Sequence, residues 1–394
     1  MTITGSGFTG VTGVTFGGTA AAGFTAGTDT QMTAVSPLHV GGTVDVQVTT
    51  PGGTSAANPS DTFTFTNWTN LTPASPAPDP GSRDRSGMAI DSTNDYTLLF
   101  GGENGGGCLF TGQCLNDTWA WNGSSWTQLL ADNPGGGPSQ PQERVGSAMA
   151  FDPVTKKVVL FGGDTCADGC DTNDVWAWNG KSWTNVLADC STGCGPNQPS
   201  QRHDALMAST GSALVLFGGG PGNPITPSNE TWTSTDGGAT WTRDQNNNAR
   251  CILASPCASQ PFVDSPSTSI ASGPGGTVVL VQWSGFGSPE ATWVFNPAGK
   301  NWTRKAVAAP ISRDGAGLAY DSKRGVTVLF AGDTCGDGCT VNDTWLWNGA
   351  SWTQDLLPPP NASPPARGGP MLAGDPSGGV LLFDGGPDDT WVYV

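Results

Sequence analysis

The chain has 394 residues, with 16 Lys and Arg against 33 Asp and Glu, a formal charge of −17. So acidic a surface repels a phosphate backbone and argues against nucleic-acid binding. No apolar run approaches the ~18 residues of a membrane span, and no sustained 3.6-residue apolar period predicts a helix.

Gly (58) and Pro (31) are abundant, yet the apolar runs between them are regular, so they mark turns and not disorder. Residues 1–66 read as short strands: Ile3-Thr4-Gly5-Ser6-Gly7-Phe8, Val14-Thr15-Phe16-Gly17-Gly18, Asp29-Thr30-Gln31-Met32-Thr33-Ala34 and Val44-Asp45-Val46-Gln47-Val48-Thr49. Their period-two alternation gives each strand one buried face. These segments resemble an IPT/TIG domain, an immunoglobulin-like sandwich. The resemblance implies a further strand ahead of Ile3, so the domain is expected to lack its first strand and the chain to belong to a longer polypeptide. Phe63-Thr64-Phe65 is its predicted last strand.

From about residue 83 the sequence repeats. Arg85-Ser86-Gly87-Met88-Ala89-Ile90 leads to Leu98-Leu99-Phe100-Gly101-Gly102, then Asn116-Asp117-Thr118-Trp119 and Trp126-Thr127. The pattern returns with Arg144, Phe161-Gly162-Gly163, Trp176 and Trp183, and again with Arg202, Phe217-Gly218-Gly219, Trp232 and Trp241. It recurs at Trp293 and Trp302, at Arg313, Phe330, Trp345 and Trp352, and at Arg367, Phe383 and Trp391. A period of about 50–60 residues, with four short strands per unit, is that of kelch blades. Strand 2 is an unbroken apolar run, as in Val158-Val159-Leu160-Phe161, which suits a strand covered on both faces.

Strand-3 tryptophans number six and strand-4 tryptophans five. The missing copy stands at the front, where Asn67-Trp68-Thr69-Asn70 matches Ser182-Trp183-Thr184-Asn185. The predicted fold is all-β: a six-bladed propeller over 67–394, closed by residues 66–72, behind an Ig-like domain at 1–66. Closure would remove the open sheet edge. The Arg, Phe-Gly-Gly and Asn-Asp-Thr-Trp elements resemble bacterial kelch repeats. Blade four departs most, with Trp283-Ser284-Gly285 in place of Phe-Gly-Gly.

Ten cysteines fall into five close pairs: Cys108/Cys114, Cys166/Cys170, Cys190/Cys194, Cys251/Cys257 and Cys335/Cys339. Local disulfides in an oxidising compartment explain this sorting. Each would contribute only about 2 kcal/mol by chain entropy. Zinc fits poorly, because the spacings are wrong and His39 and His203 are the only histidines. The expected location is therefore extracellular or at the cell surface. All ten cysteines fall in 2-to-3 and 4-to-1 connections, which open on one face of a propeller, the natural binding face.

Arg85, Arg144, Arg202, Arg313 and Arg367 open strand 1 of five blades. They are placed as a ring at the channel mouth, suited to an anionic ligand, or else as partners of loop carboxylates such as Glu103, Asp164, Asp333 or Asp384. Trp283 and Phe286 could stack on a sugar near the same face. Asp164 and Asp168 recur as Asp333 and Asp337 in twin Asp-Thr-Cys-x-Asp-Gly-Cys loops. They are weak calcium candidates, since Asp and Gly are equally ordinary in turns; no metal or other cofactor is expected. Ser234-Thr235-Asp236-Gly237-Gly238-Ala239-Thr240-Trp241 matches the Asp-box of sialidases and reads as a turn staple.

A copper radical site needs two His and two Tyr, whereas His203 is the sole propeller histidine and Tyr96, Tyr320 and Tyr393 lie outside the long loops. The misplaced tyrosines likewise disfavour sialidase chemistry, and no Gly-x-Ser-x-Gly elbow is present. The reading preferred is a recognition or adhesion module binding a glycan or extracellular protein on the stapled face. The alternatives are a mutarotase or lyase acting on an acidic sugar, and a structural component of a surface layer or fibre.

Overall fold

The structure is a computed structural model. It describes residues 1–37, 39, 42–65, 67–74, 78–104, 113–165, 170–190, 194–222, 228–246, 260–261, 268–282, 291–308, 310–335, 338–355, 363–384 and 388–394. Two compact units divide the chain: Met1–Thr69 with Asp355–Ser363, and Asn70–Gln354 with Pro364–Val394.

The first unit carries β1 (Thr2–Thr4), β2 (Gly13–Phe16), β3 (Thr19–Ala20), β4 (Gly23–Thr28), β5 (Gln31–Val35), β6 (Gly42–Thr50), β7 (Gly53–Thr54) and β8 (Thr62–Phe65). One sheet has the order β1-β5-β4; the other has β3-β2-β6-β7, with β8 also on β6. The predicted alternation holds in β5, where Met32 and Ala34 point inward between exposed neighbours. They meet Val14, Phe16, Val46, Val48 and Phe65 in a common core, and Phe16 packs edge-on against Phe63 at 5.2 Å.

The second unit begins at Asn70, the last residue of β9 (Trp68–Asn70). Blade 1 is β10 (Gly87–Asp91), β11 (Tyr96–Asn104), β12 (Gln113–Trp121) and β13 (Trp126–Leu130); blade 2 is β14 (Ala148–Asp152), β15 (Lys157–Asp164), β16 (Asp171–Trp178) and β17 (Trp183–Leu187). Blade 3 is β18 (His203–Ser209), β19 (Leu214–Gly220), β20 (Thr231–Ser234) and β21 (Thr242–Gln245); blade 4 is β22 (Thr268–Gly273), β23 (Thr277–Gln282), β24 (Ala291–Asn296) and β25 (Asn301–Arg304). Blade 5 is β26 (Gly317–Asp321), β27 (Val326–Phe330), β28 (Thr344–Trp347) and β29 (Trp352–Asp355). In the last sheet, β30 (Met371–Gly374), β31 (Val380–Phe383) and β32 (Thr390–Tyr393) are followed by β9 as outermost strand. Leu71 N–H donates to Thr390 O at 2.8 Å, just beyond that strand. The one helical turn among the described residues is the 3-10 turn Pro274–Gly276.

The inner strands neighbour one another in the order β10, β14, β18, β22, β26, β30 and back to β10. They enclose a central cavity of about 260 Å³. Each contributes one alanine at the same register, Ala89, Ala150, Ala208, Ala271, Ala319 and Ala373. A methyl group there lets six strands converge without collision.

The apolar second strands are fully covered; Val158, Val159, Leu160 and Phe161 are each 0% exposed. Their phenylalanines meet the outer-strand tryptophan of the next blade edge-on, as in Phe100–Trp183 at 5.4 Å, Phe161–Trp241 at 5.8 Å and Phe217–Trp302 at 5.5 Å. Each such aromatic pair is worth about 0.5–1.5 kcal/mol beyond its burial. Trp126, Trp183, Trp302 and Trp352 hook to the previous blade by hydrogen bonds. The indole N–H of Trp183 donates to Thr118 Oγ1 at 3.0 Å, that of Trp302 to Thr231 Oγ1 at 2.8 Å and that of Trp352 to Thr292 Oγ1 at 2.8 Å. Trp126 closes the circle on Thr390 Oγ1 at 3.0 Å. In blade 2 the acceptor position is Val175, and the buried Trp241 N–H has no acceptor among the described residues.

Candidate functional site

The arginines that open the inner strands are internal. Arg144, Arg202, Arg313 and Arg367 are at most 2% exposed. Each pairs with an acid on strand 3 of its own blade or one residue before it: Arg144 with Asp174 at 2.6 Å, Arg202 with Glu230 at 2.9 Å, Arg367 with Asp389 at 2.6 Å, and Arg313 with Asp343. That acid stands two residues before the strand-3 tryptophan and accepts its indole N–H, as Asp174 does from Trp176 at 2.6 Å. The guanidinium also donates to the carbonyl at the end of strand 2, as Arg144 does to Gly162 O at 3.1 Å. Such a group is a clamp within the blade, with its donors turned to protein acceptors. Of the two readings, a ring of accessible guanidiniums or ion pairs with carboxylates, these four arginines follow the second, with Asp174, Glu230, Asp343 and Asp389 as their partners.

Blade 1 corrects the alignment as well. Its buried arginine is Arg83, paired with Asp117 at 2.8 Å. Arg83 stands 17 positions before Phe100, as Arg144 does before Phe161 and Arg313 before Phe330, a spacing that could have found it. Arg85 occupies the next register but one, equivalent to Gly146, Asp204, Gly315 and Gly369. All five have left-handed backbones, with φ between 52° and 65°. They are linked head to tail: Gly146 N–H donates to Arg85 O at 2.9 Å and Asp204 N–H to Gly146 O at 2.8 Å. Arg85 and Asp204 are the two non-glycine members, conformations that cost about 1–2 kcal/mol each. Their side chains form an ion pair of 3.0 Å. Gly146 lies beneath it; a Cβ there would fall against Asp204 Oδ1 and stand 3.1 Å from Arg85 Nη2.

Beside this pair a second cluster joins blades 2 and 3. Asp164 ends β15, Asp171 begins β16, and the two face each other across the ladder. His203 begins β18. One donor atom from each of the three lies within 4.8 Å of the others, and all three residues are buried. His203 Nδ1 is 2.5 Å from Asp171 Oδ1, and Asp171 Oδ2 accepts Gly222 N–H at 2.7 Å. Burial opposes a charged imidazole, but the hydrogen bond to Asp171 and the charges of Asp204 and Asp171 outweigh it and raise His203 above its ordinary range. Sequence reasoning passed over this cluster; the signal was the lone propeller histidine next to Arg202.

On the same junction a cleft of about 410 Å³ opens. One wall is the connection carrying Cys190, Cys194, Gln198, Ser200 and Gln201; the other carries Glu230, Trp232 and Arg243. Arg243 lies over the Trp232 ring at 5.4 Å and pairs with Glu230 at 3.2 Å. Burial would raise the Glu230 carboxyl, but Arg202, helped by Trp232 and Arg243, holds it below its ordinary value. Gln198 and Gln201 line this space, their amides donating to Ala188 O at 3.0 Å and to Asp189 Oδ2 at 3.0 Å, and the Cys190–Cys194 disulfide staples the wall.

Cys335–Cys339 is a second disulfide, and Cys114 and Cys170 are disulfide-bonded. Cys108, Cys166, Cys251, Cys257, Trp283, Phe286, Asp168 and Asp337 lie outside the described residues. Asp333 accepts Cys335 N–H at 2.9 Å and Gly338 N–H at 2.8 Å, the bonding of a turn carboxylate. The Asp-box folds likewise around itself, with Asp236 accepting Thr240 N–H at 3.0 Å and Ser234 Oγ accepting Gly238 N–H at 2.9 Å.

The family model for the KLHDC2/KLHL20/DRC7 Kelch-repeats domain matches residues 39–243, a little over half of the chain. The IPT/TIG domain model matches residues 1–66. No curated protein matches the chain. The repeated four-stranded sheets agree with the kelch match: the chain belongs to the kelch-repeat family and carries an IPT/TIG domain at its N-terminal end.

Proposed function

We propose that this kelch protein is an extracellular or cell-surface recognition module that holds a glycan in the cleft between blades 2 and 3. The kelch and IPT/TIG domains mark it as an interaction module. The carrying observation is the cleft itself: Gln198, Ser200, Gln201 and Arg243 line a space walled by a disulfide-stapled loop and by strand ends, held in place by bonds to Ala188, Arg202, Asp189 and Glu230. Sugar hydroxyls demand several fixed donors and acceptors at once, and a wall held before binding lowers the ordering cost. The extracellular assignment is supported by the disulfides, which persist in oxidising compartments.

A glycan array probed with the wild-type chain, then with Gln201→Ala and Arg243→Ala, tests this. Selective binding that weakens at least about tenfold in both variants is expected. A silent array, or binding indifferent to both substitutions, overturns the proposal. Chemical turnover of a bound acidic sugar would replace it with the carbohydrate-active enzyme alternative.

A further inference from the structure

We propose that Asp164, Asp171 and His203 form a binding site for one divalent transition-metal cation of the Zn²⁺ type, at the junction of blades 2 and 3. Two observations carry this. First, two carboxylates stand directly opposite each other on adjacent strands. Like charges in that position destabilise a sheet, and here both groups are buried, 8% and 7% exposed. Second, the neighbouring blade delivers the single propeller histidine to the same point, with donor atoms of all three residues within 4.8 Å.

A mixed imidazole and carboxylate set favours Zn²⁺ and its neighbours over Ca²⁺ or Mg²⁺, which prefer oxygen alone. Tetrahedral metal bonds of about 2.0–2.2 Å place donor atoms about 3.3–3.6 Å apart. The cluster would therefore tighten around Asp164 and open the 2.5 Å contact between His203 and Asp171. Binding at Nδ1 releases the imidazolium proton to solvent. The hydrogen bond from Gly222 N–H to Asp171 Oδ2 leaves Oδ1 as the ligand atom and fixes its direction. Three protein ligands leave a coordination position open, as in exchangeable metal sites.

The equivalent point between blades 5 and 6 is an internal control. There Asp333 faces Thr340, and Gly368 takes the place of His203, its Cβ direction aimed at Thr340 at 4.0 Å. The same backbone thus carries the ligand set once and omits it once.

The test uses tag-free full-length protein and Zn²⁺ alone. The chain has two histidines, so their imidazole NMR signals report the site without any mutation. The expected result is a Zn²⁺-dependent shift of His203 but not His39, with one ion per chain by calorimetry. Asp171→Asn and His203→Gln should each weaken binding at least about tenfold. No His203 response to a tenfold excess of Zn²⁺ overturns the proposal. So does an affinity unchanged in Asp171→Asn, a near-isosteric substitution chosen in case His203→Gln misfolds.

Discussion

The junction of blades 2 and 3 and that of blades 5 and 6 start from nearly the same sequence. Both have the Asp-Thr-Cys-x-Asp-Gly-Cys loop, a buried arginine paired with an acid, and a left-handed residue two positions later. They differ at the next residue of the loop, Asp171 against Thr340, and after the arginine, where His203-Asp204 stands against Gly368-Gly369. One junction brings a histidine to its carboxylates; the other sets Asp333 opposite Asp314 and Thr340, with glycines where the histidine and its neighbour would stand. The repeat supplies a frame that tolerates either content, and the chemistry sits in the residues immediately beside the repeated ones.

Arg144→Ala offers the severest trial of the shared frame. It leaves Asp174 buried without its cation, a loss of about 3–5 kcal/mol, measurable by urea denaturation. Arg313→Ala should cost less, because the Asp343 side chain is 24% exposed against 9% for Asp174. Equal losses would show that burial of the acid is not what separates the two clamps.

Gly146→Ala against Gly369→Ala compares the left-handed residues. At Gly369 nothing lies within 4 Å of an added Cβ, so the cost is that of the backbone alone, about 1–2 kcal/mol. At Gly146 the methyl must also displace the Arg85–Asp204 pair, bringing the loss to about 3 kcal/mol. Thermal unfolding of both variants decides; similar losses would mean that the ion pair gives way freely.

The smallest effect is a gain. Val175→Thr supplies the hydroxyl that other blades offer, and satisfying the Trp241 indole should stabilise the chain by about 1 kcal/mol. No rise in the urea midpoint would show that Trp241 is content without this bond.

The fold was legible because it is written several times over. Phe-Gly-Gly and the paired tryptophans recur at a fixed interval, and each copy corrects errors made in another. Blade 4 shows the limit: Ala291 stands where other blades have an acid, and the buried Trp293 N–H lacks an acceptor among the described residues. The site was harder to read, because side-chain pairing depends on register. Arg83 and Arg85 are two residues apart, yet one is a buried clamp and the other arches over Gly146. The acids that hold the arginines were visible in every Asn-Asp-Thr-Trp, but nothing in one copy says that the Asp turns inward. His203 and Asp171 are 32 residues apart in sequence and meet only because neighbouring blades lie side by side.

The hydrogen bond from Trp126 to Thr390 has a consequence for how the molecule comes apart. An open array of repeats has two ends and can fray from either, one unit at a time. Here the first unit grips the last by the same hook that joins its neighbours, so no unit is terminal. Loss of any one removes support from two others, and denaturation of the propeller should follow a single steep transition with no stepwise peeling.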